Sequence, residues 1–447
     1  MTGHTIYALS TVFGKSGVAV FRISGKNATE AVRLMTNLDV GQIVPRQAYF
    51  TKIYDAQKKQ ILDCGVVLYF KAPHSFTGED IVEIQTHGSL AVLRSVLGSL
   101  AEIDDFRLAE PGEFTRRAFY QNKMDLTEAE GLADLIDAET AEQQKQALRQ
   151  MSGDLKNLYD GWRQRLLEIY AYLEAFIDFP EEELDSHIIQ EHLKSVVTLE
   201  NEISEHLKSQ NLGERLREGF RVVILGPTNA GKSSLINALV ERQAAIVSDM
   251  PGTTRDAIDV HLDINGYPVM ITDTAGIRES ENVIEKQGID IALQKSREAD
   301  LILAIFDAAK DSKQIFETLV DVQKQPVIYV ANKSDLLTLK QQQALQDEGC
   351  VLISAKHQEG LKNLVGQIAE MIKTSIGSYS GALMTRTRYR EALEDCLDNL
   401  KAFNFEKPIE LGAEDIRLAA RALGKITGRV EVDEILDKIF SSLCIGK

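Results

Sequence analysis

The residues best suited to chemistry lie in one run, Gly226-Pro-Thr-Asn-Ala-Gly231-Lys232-Ser233. It has the spacing G-x-x-x-x-G-K-[ST], after an apolar stretch at residues 222–225 and before a helical stretch at 235–239. Glycines let a backbone wrap phosphates. The N–H groups of such a loop, together with the helix N-terminus behind it, bind negative charge. The expected contacts are Gly226, Asn229, Ala230, Gly231, Lys232, Ser233 and Ser234. Lys232 would reach the β- and γ-phosphates, and the Ser233 hydroxyl would bind Mg²⁺. Gly14-Lys15-Ser16 repeats only the end of the pattern; position 9 is Leu, so it reads as a turn.

Three more motifs follow in an order that suits a guanine nucleotide. Asp273-Thr-Ala-Gly276 ends an apolar run, where an aspartate can hold Mg²⁺ through water and a glycine N–H can sense the γ-phosphate. Asn332-Lys333-Ser334-Asp335 ends another. A carboxylate at Asp335 can accept from the guanine N1–H and amino group together, a pair that adenine lacks. Ser354-Ala355-Lys356 ends the last run and would close over the base. Pro251-Gly-Thr-Thr-Arg-Asp256 lies where a switch loop belongs, with Thr253 beside the nucleotide and Thr254 as second Mg²⁺ ligand. A polar surface loop would account equally for Arg255 and Asp256. After Asp-Thr-Ala-Gly, many GTPases place a glutamine that orients the attacking water. Here position 277 is Ile, so Arg278, Glu279, Glu281 and Glu285 are the available groups, with a monovalent cation able to replace an arginine finger.

These motifs need a scaffold that carries them at strand ends. Apolar runs at 222–225, 269–273, 301–306, 327–331 and 351–353 alternate with helical stretches, which predicts a doubly wound α/β domain. Asn265-Gly266 between runs 260–264 and 267–272 predicts a type I′ hairpin, hence one antiparallel pair in an otherwise parallel sheet. Residues 1–118 carry short β-rich runs, such as 18–23 and 66–70, and read as an α+β domain. Residues 119–215 and 377–447 are helical, with Phe179-Pro180 as a break. The expected division is therefore 1–118, 119–215, 216–376 and 377–447, the two helical blocks being one all-α domain split by a Ras-like P-loop insertion.

The 447 residues are 44% hydrophobic, which excludes global disorder. Cys64, Cys350, Cys396 and Cys444 form no C-x-x-C pair, so zinc and disulfide readings are weak. No basic, then apolar N-terminal segment and no run of about 18 apolar residues occurs, so a cytoplasmic chain without membrane partners is expected.

With Asn229 in the phosphate loop, the PGTTRD and DTAGIRE segments, and a terminal Cys444-Ile-Gly-Lys447, the chain resembles the MnmE (TrmE) family of tRNA modification GTPases along its full length. Phe21-Arg-Ile-Ser-Gly25, Ser75-Phe-Thr-Gly-Glu-Asp80 and Pro111-Gly-Glu-Phe-Thr-Arg116 carry the resemblance further. It implies a homodimer formed through the N-terminal domain, and a formyl-tetrahydrofolate site at Arg22, Glu79, Arg116, Lys123 and Lys447. It implies K⁺ held by Asn229, Ser248, Met250 and Thr253, with Glu285 positioning water. It also implies a flavin-dependent partner (MnmG, or GidA), with which carbon 5 of a tRNA wobble uridine receives an aminomethyl-type group. Cys444 suits a thiolate nucleophile, although packing of a helix end would also account for it. A ribosome-assembly GTPase and a switch without chemistry of its own are the other readings.

The formal charge of −17 is uneven: +1 over residues 1–118, −5 over 216–375 and −13 over the two helical blocks. Against that acidity, Arg417, Arg421, Lys425 and Arg429 recur every four residues and predict one cationic helix face, and Arg386, Arg388 and Arg390 form a second cluster. Either patch could meet RNA phosphate or pair with the acidic helices.

Overall fold

The computed structural model describes residues 3–179, 186–227, 229–242, 259–273, 297–310, 325–376, 381–404, 407–430, 436, 439–441, 443 and 446. The chain forms two compact units, one of residues 1–133 with 423–447 and one of residues 134–422.

In the first unit, strands β1 (Thr5–Leu9), β2 (Ser16–Ser24), β3 (Tyr49–Tyr54), β4 (Ile61–Phe70), β5 (Ile81–Gly88) and β6 (Phe106–Leu108) build a sheet ordered β3-β4-β5-β2-β1-β6. All neighbours are antiparallel except β1 and β6. Helices α1 (Ala28–Met35) and α2 (Leu90–Ala101) accompany it. Side chains alternate across a strand. Phe21 and Ile23 of β2 therefore join Val32, Met35, Leu93 and Val96 in the main core, while Arg22 faces the opposite side. On that side Ile6 and Ala8 of β1 pack with Phe114 of α3 (Glu113–Tyr120). The end of the chain belongs to this unit. Leu436, Phe440 and Leu443 share a core with Leu126 and Ala129 of α4 (Leu126–Asp137).

The second unit holds α5 (Ala141–Met151), α6 (Asp154–Asp178), α7 (Ser186–Lys208) and α8 (Gln210–Glu218), then a six-stranded sheet. Its strands are β7 (Phe220–Leu225), β8 (Asp259–Ile264), β9 (Tyr267–Asp273), β10 (Leu301–Asp307), β11 (Val327–Asn332) and β12 (Val351–Leu352), ordered β12-β11-β10-β7-β9-β8. Every pair is parallel except β8 with β9, the expected hairpin. Asn265 at φ 54° and Gly266 at φ 91° take the two left-handed positions that a type I′ turn requires. The Gly266 N–H also donates to Asp263 Oδ1 at 2.6 Å. Six of the seven β10 residues are buried, as a strand covered on both faces must be. Helix α9 (Lys232–Arg242) follows β7, and α10 (Leu339–Asp347) and α11 (Leu361–Ile376) complete the layers. Helices α12 (Thr387–Ala402) and α13 (Ile409–Thr427) follow. Tyr389 of α12 meets Tyr159 of α6 edge-on, and Tyr159 hydrogen-bonds His206 of α7 at 3.0 Å. Residues on both sides of the inserted sheet therefore share one aromatic core.

The cationic face differs from expectation. Helix α13 ends at Thr427 and the chain turns at Gly428 (φ 80°), so Arg429 lies beyond the helix rather than on its face. Arg417 is held by Glu414 at 2.7 Å. In the second cluster Arg386 pairs with Asp134 at 2.5 Å, and Arg388 lies over the Tyr389 ring. The acidic helices thus engage part of both patches. Among the described residues, no helix is long and apolar enough to cross a membrane.

Candidate nucleotide-binding site

The sheet brings four sequence motifs to one end of its strands. Strand β7 runs between β9 and β10 and delivers Gly226 into a crowded position: a Cβ there would stand 2.1 Å from the Ile305 carbonyl oxygen. The loop then uses left-handed backbone at Asn229 (φ 66°) and Gly231 (φ 95°) before α9 begins at Lys232. A Cβ on Gly231 would sit 2.2 Å from Asn332 Nδ2. Glycine at both ends of the loop therefore follows from close packing as well as from conformation.

Lys232 Nζ donates to the carbonyls of Gly226 (2.7 Å) and Pro227 (3.1 Å), which holds the ammonium across the loop. Ser233 and Ser234 are exposed in the first turn of α9, where N–H groups and the helix dipole favour anions. Asp273 ends β9 level with Ile224 of β7, one strand away from the loop. Its side chain lies outside the described residues.

Asn332 joins the loop after β7 to the loop after β12. It is 2% exposed, its Nδ2 donates to the Ala230 carbonyl at 2.8 Å, and its Oδ1 accepts the Ala355 N–H at 3.1 Å. A buried amide satisfied at both ends fixes the loops it connects. Lys333 adopts φ 63° and its ammonium pairs with Asp307 at 2.6 Å. Partial burial pushes the Asp307 carboxyl up, but the Lys333 ammonium and the Ala309 N–H hold it below the usual carboxylate range. The Ser354 hydroxyl, with His357 and Lys356 nearby, likewise holds the Asp335 carboxyl below the usual carboxylate range. Asp335 is thus an exposed acceptor at the mouth of the site, with Ser354 buried behind it. The Asp307 partner of Lys333 was not among the expected residues. Its signal was position alone, since it closes β10 directly beside Asn332.

Ser248, Met250, Thr253, Thr254, Gly276, Glu285, Cys444 and Lys447 lie outside the described residues. The first unit carries the other expected group. Arg22 pairs with Glu83 at 3.0 Å and stacks near Phe76 and Phe114. Glu79 accepts from Ser24 Oγ and from Arg117, each at 2.8 Å. Arg116 lies over the Phe440 ring, and Lys123 is exposed, with its Cε near Gly78. Arg117 is the residue that sequence reasoning missed. It links Glu79 to Glu113, an i,i+4 pair on α3. The Gly446 carbonyl accepts from Ser10 Oγ (3.2 Å) and Arg22 (3.5 Å), which seats the tail beside β1 and β2.

The sequence profile described as the MnmE helical domain matches residues 126–444, and that described as the GTP-binding protein TrmE N-terminus matches residues 5–123. The tRNA modification GTPases MnmE of Rickettsia typhi and Rickettsia akari are each 44% identical over 445 residues, covering 99% of this chain and all of theirs. Among solved structures, an Era variant of Aquifex aeolicus bound to GDP and aluminium fluoride is 27% identical at a TM-score of 0.29, over 42% of this chain and 69% of its own. The G domain of the Thermotoga maritima FeoB iron transporter is 24% identical at a TM-score of 0.27, over 34% of this chain and 99% of its own.

Proposed function

The chain belongs to the MnmE family of tRNA modification GTPases, and on that premise we propose that its GTP hydrolysis drives addition of an aminomethyl-type group to carbon 5 of a tRNA wobble uridine. The flavin-dependent enzyme MnmG is the partner in that reaction. The protein acts in the cytoplasm as a homodimer paired through residues 1–118, with helical blocks 119–215 and 377–447 around a G domain at 216–376. The observation that carries the nucleotide reading is the Asn332 bridge between the Ala230 carbonyl and the Ala355 N–H, which sets Asp335 at a fixed span from the phosphate loop.

Asp335 accepts from the guanine N1–H and amino group. The α9 N-terminus and loop N–H groups receive the phosphates, and the Lys232 ammonium exchanges the Gly226 and Pro227 carbonyls for phosphate oxygens. The hydroxyls of Ser233 and Thr254 would hold Mg²⁺, with Asp273 binding it through water and the Gly276 N–H sensing the γ-phosphate. The amide oxygen of Asn229 with backbone oxygens of Ser248, Met250 and Thr253 fits K⁺, since hard cations take oxygen donors. When bound, these ions neutralise charge between the β- and γ-phosphates. Glu285 orients the attacking water.

Arg22, Glu79, Arg116, Lys123 and Lys447 offer the charges that a formyl-tetrahydrofolate requires: cations for its carboxylates and an acid for its pterin N–H edge. The Gly446 carbonyl accepts from Arg22 of that set, which supports a role there for the thiolate of Cys444, two residues earlier in the chain. GTP hydrolysis measured in K⁺ and in Na⁺ tests the cation assignment. Faster turnover in K⁺ supports it, and equal rates reject it.

A further inference from the structure

Helix α5 touches the hairpin turn of the nucleotide-binding sheet and the segments of chain that enter and leave that sheet. Its N-terminus is closed by a Thr140/Gln143 capping box, which satisfies one set of orphan donors. The Glu142 N–H is satisfied differently, by the Gly266 carbonyl of the β8–β9 turn at 3.1 Å. Gln143 Nε2 donates to the Arg217 carbonyl (2.9 Å), in the last turn of α8 just before β7. Gln146 Nε2 donates to the Leu383 carbonyl (3.5 Å), between α11 and α12. Gln150 Nε2 donates to the Tyr389 hydroxyl (3.2 Å), and Gln150 Oε1 accepts from Thr385 Oγ1 (3.1 Å). One helix thus holds the chain leading into the sheet, the chain leading out and the hairpin turn.

The spacing 143, 146, 150 places the three glutamines on one face. Gln146 is 8% exposed and Gln150 1%. Packing alone would be met by leucine at such sites. An amide buried there is useful because it is satisfied by only one arrangement of its partners. The other ends of the hairpin matter equally. Strands β8 and β9 are paired without interruption from Ile264–Tyr267 to Asp259–Thr272. Strand β9 ends at Asp273, where the Asp-Thr-Ala-Gly motif starts, and β8 begins three residues after the PGTTRD motif. At about 3.3 Å per residue the ladder spans ~20 Å between nucleotide-sensing segments and the α5 cap.

We propose that the glutamine face of α5, with the Gly266 carbonyl at its N-terminus, positions the helices according to the nucleotide held by the sheet. The β8–β9 hairpin is the strut, and Gln143, Gln146 and Gln150 pass its displacement to α8 and α12. These are positioning residues, since none touches nucleotide. The inference rests on the reading that hydrolysis drives tRNA modification.

The test uses the full chain with its flavin-dependent partner. The Gln143→Leu/Gln150→Leu variant is expected to hydrolyse GTP within about two-fold of the parent while modified uridine per GTP falls about ten-fold, the scale of an ordinary coupling free energy. A variant that melts cooperatively and keeps the parental ratio overturns the proposal. Amide exchange in the unaltered chain, with GDP against guanylyl imidodiphosphate, decides the matter even if the variant fails to fold. Nucleotide-dependent protection in the first turn of α5 and at residues 383–389 supports the coupling; identical protection overturns it. A parent that hydrolyses GTP but yields no modified uridine refutes the proposed function instead, and leaves the exchange result to judge this inference.

Discussion

At the level of single residues, the positions of the four motif segments were legible, because each follows an apolar run that the structure shows as a strand. Asp335 is the clearest case. On the proposed reading, replacement by Asn exchanges two acceptors for one and sets a donor against the guanine N–H groups. Asp335→Asn is expected to weaken GTP binding by ten-fold or more, since a hydrogen bond to a charged group contributes about 1.5–3 kcal/mol. Titration of GTP by fluorescence would show it, and unchanged affinity would remove Asp335 from the base site. Asp307 was not legible, because nothing in its local sequence separates it from other acids. Only the β10–β11 register sets it against Lys333.

His206 gives a pH prediction at the same scale. Burial pushes its pKa down to about 4, below the 6.5 of an exposed imidazole. The folded state therefore resists protonation that the unfolded chain accepts. The resulting stability is present above about 6.5 and disappears as pH falls toward 4, amounting to ~3 kcal/mol. Urea midpoints at pH 7 and pH 4.5 should fall further for the parent than for His206→Gln. Parallel falls would exclude the histidine as the source.

At the level of elements, the inserted sheet followed from the pattern of the chain. Apolar runs gave buried parallel strands, and Asn265-Gly266 gave the one hairpin because two left-handed positions in succession admit few residue pairs. The cationic helix was read two residues too long. A four-residue period survives past Thr427, but Gly428 takes a left-handed conformation and ends α13. Periodicity reports which side chains could share a face, whereas the helix end is decided by the backbone. The capping box of α5 carries its own prediction: Thr140→Ala should lower stability by about 1 kcal/mol, read as a lower melting temperature. It should leave GTP affinity unaltered, because Thr140 lies on the helix side of the hairpin.

For the whole molecule, composition was least informative about how distant segments pair. Nothing in the terminal Cys444-Ile-Gly-Lys447 says that Gly446 will bond Ser10 and Arg22, some 430 residues earlier in the chain. Similarly, Tyr159 and Tyr389 read as two unrelated core aromatics until the fold sets them 6.2 Å apart. The net charge of −17 takes a local meaning: Glu414, Asp134 and Glu394 hold Arg417, Arg386 and Arg390, so acidity in the helices restrains part of the basic patches. The most direct measurement is modified wobble uridine, read by mass spectrometry of tRNA incubated with this protein and its flavin-dependent partner. With GTP and K⁺ the modified nucleoside should accumulate, and with GDP it should not. Equal yields with GTP and GDP would contradict a modification driven by hydrolysis.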